Sequence, residues 1–127
     1  MTDFSDGLRI AASGMQAQST RLRYLSENIA NADTPGYHRK TVSFAEMHGA
    51  GGAVETGRME LDRTALERIY DPAHPMADSD GYYQGTNVNL LIEIADSREA
   101  SRSYDANLKI LDQLRQMSSA LLDLLRR

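Results

Sequence analysis

A chain of 127 residues with no tryptophan, only Phe4 and Phe44 as phenylalanines and a net charge of −4 is one domain's worth of protein, short of the large side chains that build cores. The acidic balance and the absence of any long basic block exclude nucleic acid as a main partner, because phosphate neutralisation needs clustered Lys and Arg. With no cysteine, disulfide and thiolate chemistry are excluded too.

At the N-terminus, Phe4, Leu8, Ala11, Met15, Gln18, Leu22, Leu25, Ile29 and Ala32 recur at alternating steps of four and three, the seam of a coiled coil interrupted at Gln18. Asp3 or Ser5 is the expected cap, and Gly7 and Gly14 weaken the helix by about 1 kcal/mol each against Ala, so it needs a partner. These opening residues start acidic, unlike a cleaved Sec-type signal peptide, and no run approaches the ~20 apolar residues of a membrane span. The helix stops at Asn31-Ala32-Asp33-Thr34-Pro35-Gly36, where Pro35-Gly36 fits the central positions of a type II turn.

Tyr37 to Phe44 reads as a short strand and Val54 to Leu61 as another, with Gly49-Ala50-Gly51-Gly52 as the turn between them. Asp71-Pro72 and His74-Pro75 predict an extended course onward, and a patch of two or three strands is the most this region is expected to build. Arg21, Arg23, Arg39 and Lys40 are the nearest thing to a basic cluster, and the acidic residues among them make solvated positions the expectation.

From Asn87 to Leu91 the chain enters a final helix of over 30 residues, with Glu93 and Asp96 at its start and Arg126 and Arg127 at its finish, an order that suits the helix dipole. Ile110, Leu114, Met117, Leu121 and Leu124 form one apolar file. Tyr104, Leu108, Leu111, Leu122 and Leu125 form a second beside it, broken by Arg115 and Ser118. Two files make more apolar surface than one partner helix covers. The expectation is a mainly α fold in which residues 1–34 and 85–127 pair as an antiparallel coiled coil in one core domain, with residues 35–84 as a short irregular or β-hairpin middle. The expected subunit interface comprises Leu8, Met15, Leu22, Leu25 and Ile29 on the first helix, with Tyr104, Leu108, Leu111, Leu114, Met117, Leu121 and Leu124 on the second.

The chemistry-bearing residues do not converge. His38, His48 and His74 lack a second ligand type at metal-binding spacing and read as surface or turn residues. Asp78-Ser79-Asp80-Gly81 shares part of a calcium loop, yet Met76 and Asn87 stand where the loop needs acidic ligands, so a polar turn is expected. Ser13 and Ser101 have no histidine on their helices to act as base. No catalytic residue, metal or cofactor is expected, and the chain is not expected to be an enzyme.

Asn28-Ile29-Ala30-Asn31-Ala32-Asp33-Thr34-Pro35-Gly36-Tyr37 resembles the signature that closes the N-terminal helix of bacterial flagellar rod and hook proteins, where a run like A-N-x-x-T-P-G-Y recurs. Its motif turn is carried here by Asn31, Thr34, Pro35, Gly36 and Tyr37. A second set is similar to the proximal-rod branch of that axial family: Asp71 to Asp78, Gly81-Tyr82, Asn87-Val88-Asn89 and Glu99 to Asn107. The resemblance implies a structural subunit of the flagellar basal body, used for motility, whose terminal helices pack with those of neighbours into a helical tube around the export channel. It implies export through the flagellar type III apparatus without signal cleavage, to the rod in the periplasmic space. The implied partners are further copies of the chain, the rod proteins FlgB, FlgF and FlgG, and the adaptor FliE. The rivals are another rod protein such as FlgB, against which Ser101-Arg102-Ser103-Tyr104 argues, and a helical adaptor or export chaperone, which has little use for the Thr34-Pro35-Gly36-Tyr37 stop.

Overall fold

A computed structural model describes residues 2–47 and 51–127. The described chain is mainly α, with a long helix at each end and β pairs between them. Helix α1 spans Thr2–Ala30 and helix α2 spans Leu90–Leu125. Between them lie β1 (Lys40–Thr41), β2 (Phe44–Glu46), β3 (Val54–Thr56), β4 (Glu60–Leu61), β5 (Arg68–Tyr70) and β6 (Tyr82–Gln84). They pair antiparallel as β1 with β4, β2 with β3 and β5 with β6.

Asp3 and Ser5, expected to cap α1, lie inside it instead, where Asp3 still suits the positive end of the helix dipole. The Pro-Gly stop forms as the type II turn anticipated: Tyr37 N–H donates to the Thr34 carbonyl at 3.1 Å, and Gly36 takes φ +78°, a conformation costly for any residue with a Cβ. Helix α2 is capped by Asn89, whose side chain accepts from the N–H groups of Leu91 (3.1 Å) and Ile92 (3.4 Å). At its other end the basic residues fall just outside, with Arg126 as the C-cap.

The two helices pack along one another, and the two glycines mark the line of approach. A Cβ on Gly7 would sit 3.1 Å from Leu114, and one on Gly14 would sit 2.8 Å from Asn107. Further along, the Arg21 guanidinium lies 3.7 Å from Asp96, and Asn28 reaches Glu93 at 3.3 Å. Partner numbers fall as α1 numbers rise, and the pairs 7/114, 14/107 and 28/93 step through both helices by seven residues and then by fourteen. The glycines cost helix propensity, as expected, but they are what lets the helices come this close.

The α1-facing side of α2 follows neither expected file as a whole: it takes Leu114 from the first and Tyr104 and Leu111 from the second. Glu93, Ala100, Ser103, Tyr104, Asn107, Leu111, Leu114 and Ser118 are buried or half-buried, whereas Ile110, Met117, Leu121 and Leu124 are exposed. Leu114 stands on both lines, so the inward face is offset from that file by less than the 100° of one residue, enough to leave Ile110 and Met117 outside. Gly7 and Gly14 leave room for Leu114 and Asn107, Ala11 and Ala17 are buried on the same helix, and the hydrogen bond of Asn28 to Glu93 holds α2 in this rotation. Gln18, which interrupts the α1 stripe, has a buried side-chain oxygen with no hydrogen-bond partner among the described residues.

The two expected middle strands each break in two. Between the pairs Thr41↔Glu60 and Phe44↔Thr56 one side carries two residues and the other three, Gly57, Arg58 and Met59, which is a β-bulge. Gly57 donates to the Ser43 carbonyl there (2.7 Å), and a Cβ on it would meet Ser43 Oγ at 2.5 Å. The bulged hairpin lies along α1 from the level of Asn28, which bonds Lys40, to that of Ser13, whose hydroxyl accepts from Val54 N–H at 3.0 Å, and of Ile10 beside Gly52. Gly51 and Gly52 take positive φ as a turn requires, while His48, Gly49 and Ala50 lie outside the described residues.

Asp71-Pro72 and His74-Pro75 do not run extended. His74 N–H donates to the Asp71 carbonyl and Ala77 N–H to the His74 carbonyl, both at 3.0 Å, so each proline occupies the second position of a tight turn. These turns close the β5–β6 hairpin where the two prolines predict an extended course. Six strands in three pairs exceed the patch expected because each pair is attached to something else: the first two to α1, the third to the Pro-Gly turn through Gly36 N–H and the carbonyls of Gln84 (3.2 Å) and Gly85 (2.9 Å).

Candidate functional site

Where α1 ends, the turn, the first hairpin and the start of α2 meet at one buried polar joint. Asn28 is fully buried and makes four hydrogen bonds. Its Nδ2 donates to the Lys40 carbonyl (2.9 Å) and Glu93 Oε2 (3.3 Å), and its Oδ1 accepts from Lys40 N–H and the Tyr37 hydroxyl, both at 2.8 Å. An asparagine amide has no further capacity. Glu93 is also fully buried, and its second oxygen takes Arg39 Nε at 2.6 Å. The hydrogen bond to Glu93 raises the Arg39 pKa further above its ordinary value, so the guanidinium stays charged.

Arg39 extends the network outward, with Nη1 3.3 Å from Asp62 Oδ2 and its backbone N–H donating to Asn87 Oδ1 at 2.7 Å. Asn87 in turn donates to the Asp62 carbonyl (2.9 Å), and the Thr86 hydroxyl donates to the Ala32 carbonyl (2.8 Å). The Asp62 carboxyl is held below its usual range by the backbone N–H and hydroxyl of Thr64, and then by Arg39. Burial pushes the Tyr37 hydroxyl up, and Lys40 is raised by its 2.7 Å bond to Glu27. Of the four basic residues expected to be solvated, Arg21, Arg39 and Lys40 are therefore paired, and Arg23 alone lies outside an ion pair, over the Tyr24 ring.

Of the motif-turn residues, Asn31 donates to the Glu27 carbonyl (2.8 Å) and accepts from the Thr34 hydroxyl (3.1 Å), while Pro35 and Gly36 make the turn that delivers the Tyr37 hydroxyl to Asn28. Asn28, Arg39, Glu93 and Asn87 were not picked out as a site by sequence reasoning. The available signal was polar residues flanking a helix stop, which the dipole and solvation rules absorb without residue. The joint contains neither a nucleophile beside a base nor, among the described residues, a group of three or more potential metal ligands. What it does is mechanical: it fixes the register and rotation of α2 against α1.

The consequence appears on the outside of α2. Leu108, Ile110, Met117, Leu121 and Leu122 are exposed, and Leu124 and Leu125 are 62% and 73% exposed. Of the expected interface residues on α2, Leu108, Met117, Leu121 and Leu124 are among these exposed ones, and Tyr104, Leu111 and Leu114 are half-buried, Leu114 against Gly7. On α1, Leu25 is buried within the chain, and Leu8, Met15, Leu22 and Ile29 are half-buried. No described helix is long and apolar enough to cross a membrane.

A family profile described as flagella basal body rod protein matches residues 8–38, covering the stripe of α1 and the Pro-Gly turn. A second, described as the C-terminal region of the flagellar basal body rod FlgEFG proteins, matches residues 79–124. The flagellar basal-body rod protein FlgC of Agrobacterium fabrum is 47% identical, over 99% of this chain and 98% of its own length. The FlgC of Bacillus subtilis is 31% identical over 98% and 99%, and that of Salmonella typhimurium 34% over 85% and 87%. The chain belongs to the FlgC family of flagellar basal-body rod proteins. It is a structural protein of the flagellar basal body and not an enzyme, which agrees with the resemblance drawn from the Thr34-Pro35-Gly36-Tyr37 signature.

Proposed function

We propose that the chain is a proximal-rod subunit whose terminal segments, residues 1–34 and 85–127, wind as an antiparallel coiled coil and assemble helically with further copies and with neighbouring rod proteins around the export channel. Residues 35–84 attach to that core as a separate middle region. The subunit reaches the periplasm through the flagellar export apparatus without signal cleavage, and FlgB, FlgF, FlgG and FliE are its proposed neighbours.

The single observation that supports this reading is the bare apolar file of α2, in which Ile110 and Met117 lie beside the α1-facing line and Leu121 and Leu124 lie past the level where α1 begins. A monomer rarely leaves so continuous an apolar strip in water, and a heterologous contact that does not close propagates as a helix. The proposed interface is therefore centred on Met117, Leu121 and Leu124, with Leu108 at its edge.

Leu121→Asp is the direct test. The subunit is expected to be made, exported and folded, with motility and self-assembly lost. Normal swimming in that variant would overturn the interface. Leu114→Asp is a poorer probe, because Leu114 faces Gly7 and the change would damage the helix pair itself.

A further inference from the structure

Very little of the polar structure holds α2 at its present height along α1. Among the described residues, Glu93 is the only α2 side chain that hydrogen-bonds to α1 or to the hairpins, through Asn28 (3.3 Å) and Arg39 (2.6 Å). Arg21 stands 3.7 and 3.8 Å from Asp96 and Glu99, too far to fix a register. The rest of the seam is packing, and its notches and knobs repeat every seven residues. Gly7 and Gly14 are one heptad apart, as are Leu114 and Leu121. Leu114 stands at the first notch and Asn107 at the second.

A slide of α2 by one heptad, about 10.5 Å, fits the same notches. Leu121 would then stand at Gly7, Leu114 at Gly14, Asn107 at Arg21 and Ala100 at Asn28. The rotation of α2 hardly changes, because seven residues make two turns to within about 20°. The lengths fit as well: α2 has 36 residues against 29 in α1, and almost all of the surplus lies past the level where α1 begins. There Leu121 and Leu125 are 41% and 73% exposed. The slide brings both leucines against α1, Leu125 on the line now held by Ser118, and takes Glu93 off it, an exchange that burial of apolar area favours. What opposes it is the joint: the two bonds of Glu93, with the Thr86 hydroxyl on the Ala32 carbonyl and Arg39 N–H on Asn87.

We propose that the α1–α2 pair has two registers one heptad apart, and that the buried joint selects the described one. In the other register the chain covers its own leucines. The joint then acts as a latch: closed, it holds the end of α2 out; open, it lets that end withdraw along α1. The two registers stand on the seam alone, whereas the effect of withdrawal on assembly rests on the rod-subunit reading.

Cysteine pairs report the register directly, because the chain has no cysteine of its own. Arg21→Cys with Ala100→Cys should link within one chain in the described register, and Arg21→Cys with Asn107→Cys only in the slid one. With the joint intact, the 21–107 link should stay at background. Adding Glu93→Ala should raise it at least about tenfold, the change that ~1.4 kcal/mol of lost bias produces, with helix content by circular dichroism retained. Asn28→Ala should give a smaller rise in the same direction, and Leu121→Ala placed in the Glu93→Ala chain should reverse it. A Glu93→Ala chain that still links only 21–100 would overturn the second register. So would one that loses its helices without forming 21–107, since no other register then exists to hold it, or one whose new link joins two chains on a non-reducing gel. Sedimentation of the locked chains tests the consequence: the chain linked 21–100 should assemble and the chain linked 21–107 should not. Assembly of both would overturn the withdrawal, and failure of both would count against the rod-subunit reading while leaving the register result standing.

Discussion

The inner and outer faces of α2 are opposite in character to what a buried helix in water usually shows. Inside, against α1, stand Glu93, Ala100, Ser103, Asn107 and Ser118, interrupted by Tyr104, Leu111 and Leu114; outside stand Leu108, Ile110 and Met117, and past the level where α1 begins stand the exposed Leu121, Leu122, Leu124 and Leu125. Burial of apolar area at ~25 cal/mol per Å² would favour the reverse rotation for an isolated pair of helices. The inner face is thus chosen for register and close approach, and the outer face is kept for another chain. A fold that spends its small and polar residues on itself, and its leucines elsewhere, is one whose free energy is completed on assembly.

The contrast breaks first at the joint. Glu93→Ala strips the carboxylate from Arg39 and leaves an Asn28 donor short of its partner, both inside the fold. Removing one member of a buried pair costs about 3–5 kcal/mol when the other is fully enclosed, and the partial exposure of Arg39 points to the lower end. The urea midpoint of the full chain should fall accordingly, with Glu93→Gln, which keeps an acceptor in place, clearly milder. Equal midpoints for wild type and Glu93→Ala would mean that the joint does not set the helix pair.

Titration sharpens the same point. Asp62 has a depressed pKa, so the stability it contributes is present above its ordinary value of about 3.9 and is lost as pH falls through its folded value. Lys40 and Tyr37 are raised, so what they contribute is complete below about 10 and is lost as pH rises through their folded values. Unfolding midpoints followed against pH should give a plateau between these limits with a fall on both sides. In an Asp62→Asn variant the acid fall should be smaller, and an unchanged acid limb would remove Asp62 from the account.

How much of this was legible beforehand depends on which physical rule dominates at each residue. The helices, their lengths and the Pro-Gly stop follow from local rules: heptad spacing, absence of breakers and the φ that Gly36 alone tolerates. The family followed from the motif around that stop. The rotation of α2 was not legible, because periodicity identifies the most apolar file and assumes it faces the partner. Here a polar pair 65 residues apart in sequence decides otherwise, and no local pattern announces that Asn28 meets Glu93. The β5–β6 hairpin was missed for a related reason. Prolines at 72 and 75 read as extension, but each sits second in a turn whose closing hydrogen bond runs to Asp71 or His74. The bulge at Gly57 needed the register of the whole hairpin before it could be seen.

Along the seam the effects are smaller and turn on competing terms. Gly14→Ala gains up to about 1 kcal/mol of helix propensity, but its Cβ would lie 2.8 Å from the Asn107 amide, which must then leave its hydrogen bond to Ser103. The single variant is expected to be destabilised by up to about 1 kcal/mol, the lower end of the range for overpacking. Pairing it with Asn107→Ala removes the obstruction and should bring the double variant above Asn107→Ala alone. Simple additivity of the two changes in a double-mutant cycle would show that the glycine is not there for close approach.

The outer face should give the smallest effect on the subunit and a large one on its assembly. Met117 is 53% exposed and lies off the α1-facing line, so Met117→Ser is expected to move the unfolding free energy of dilute protein by no more than about 0.5 kcal/mol, as surface changes do. The same variant should require a higher protein concentration before helix content and sedimentation rise together, because the apolar area it removes counts only when a second chain covers it. Circular dichroism and sedimentation over one concentration series separate the two effects. If Met117→Ser lowers the stability of the dilute subunit as much as Glu93→Ala does, the two faces of α2 are not divided between self and neighbour, and the exposed file belongs to the subunit's own core after all.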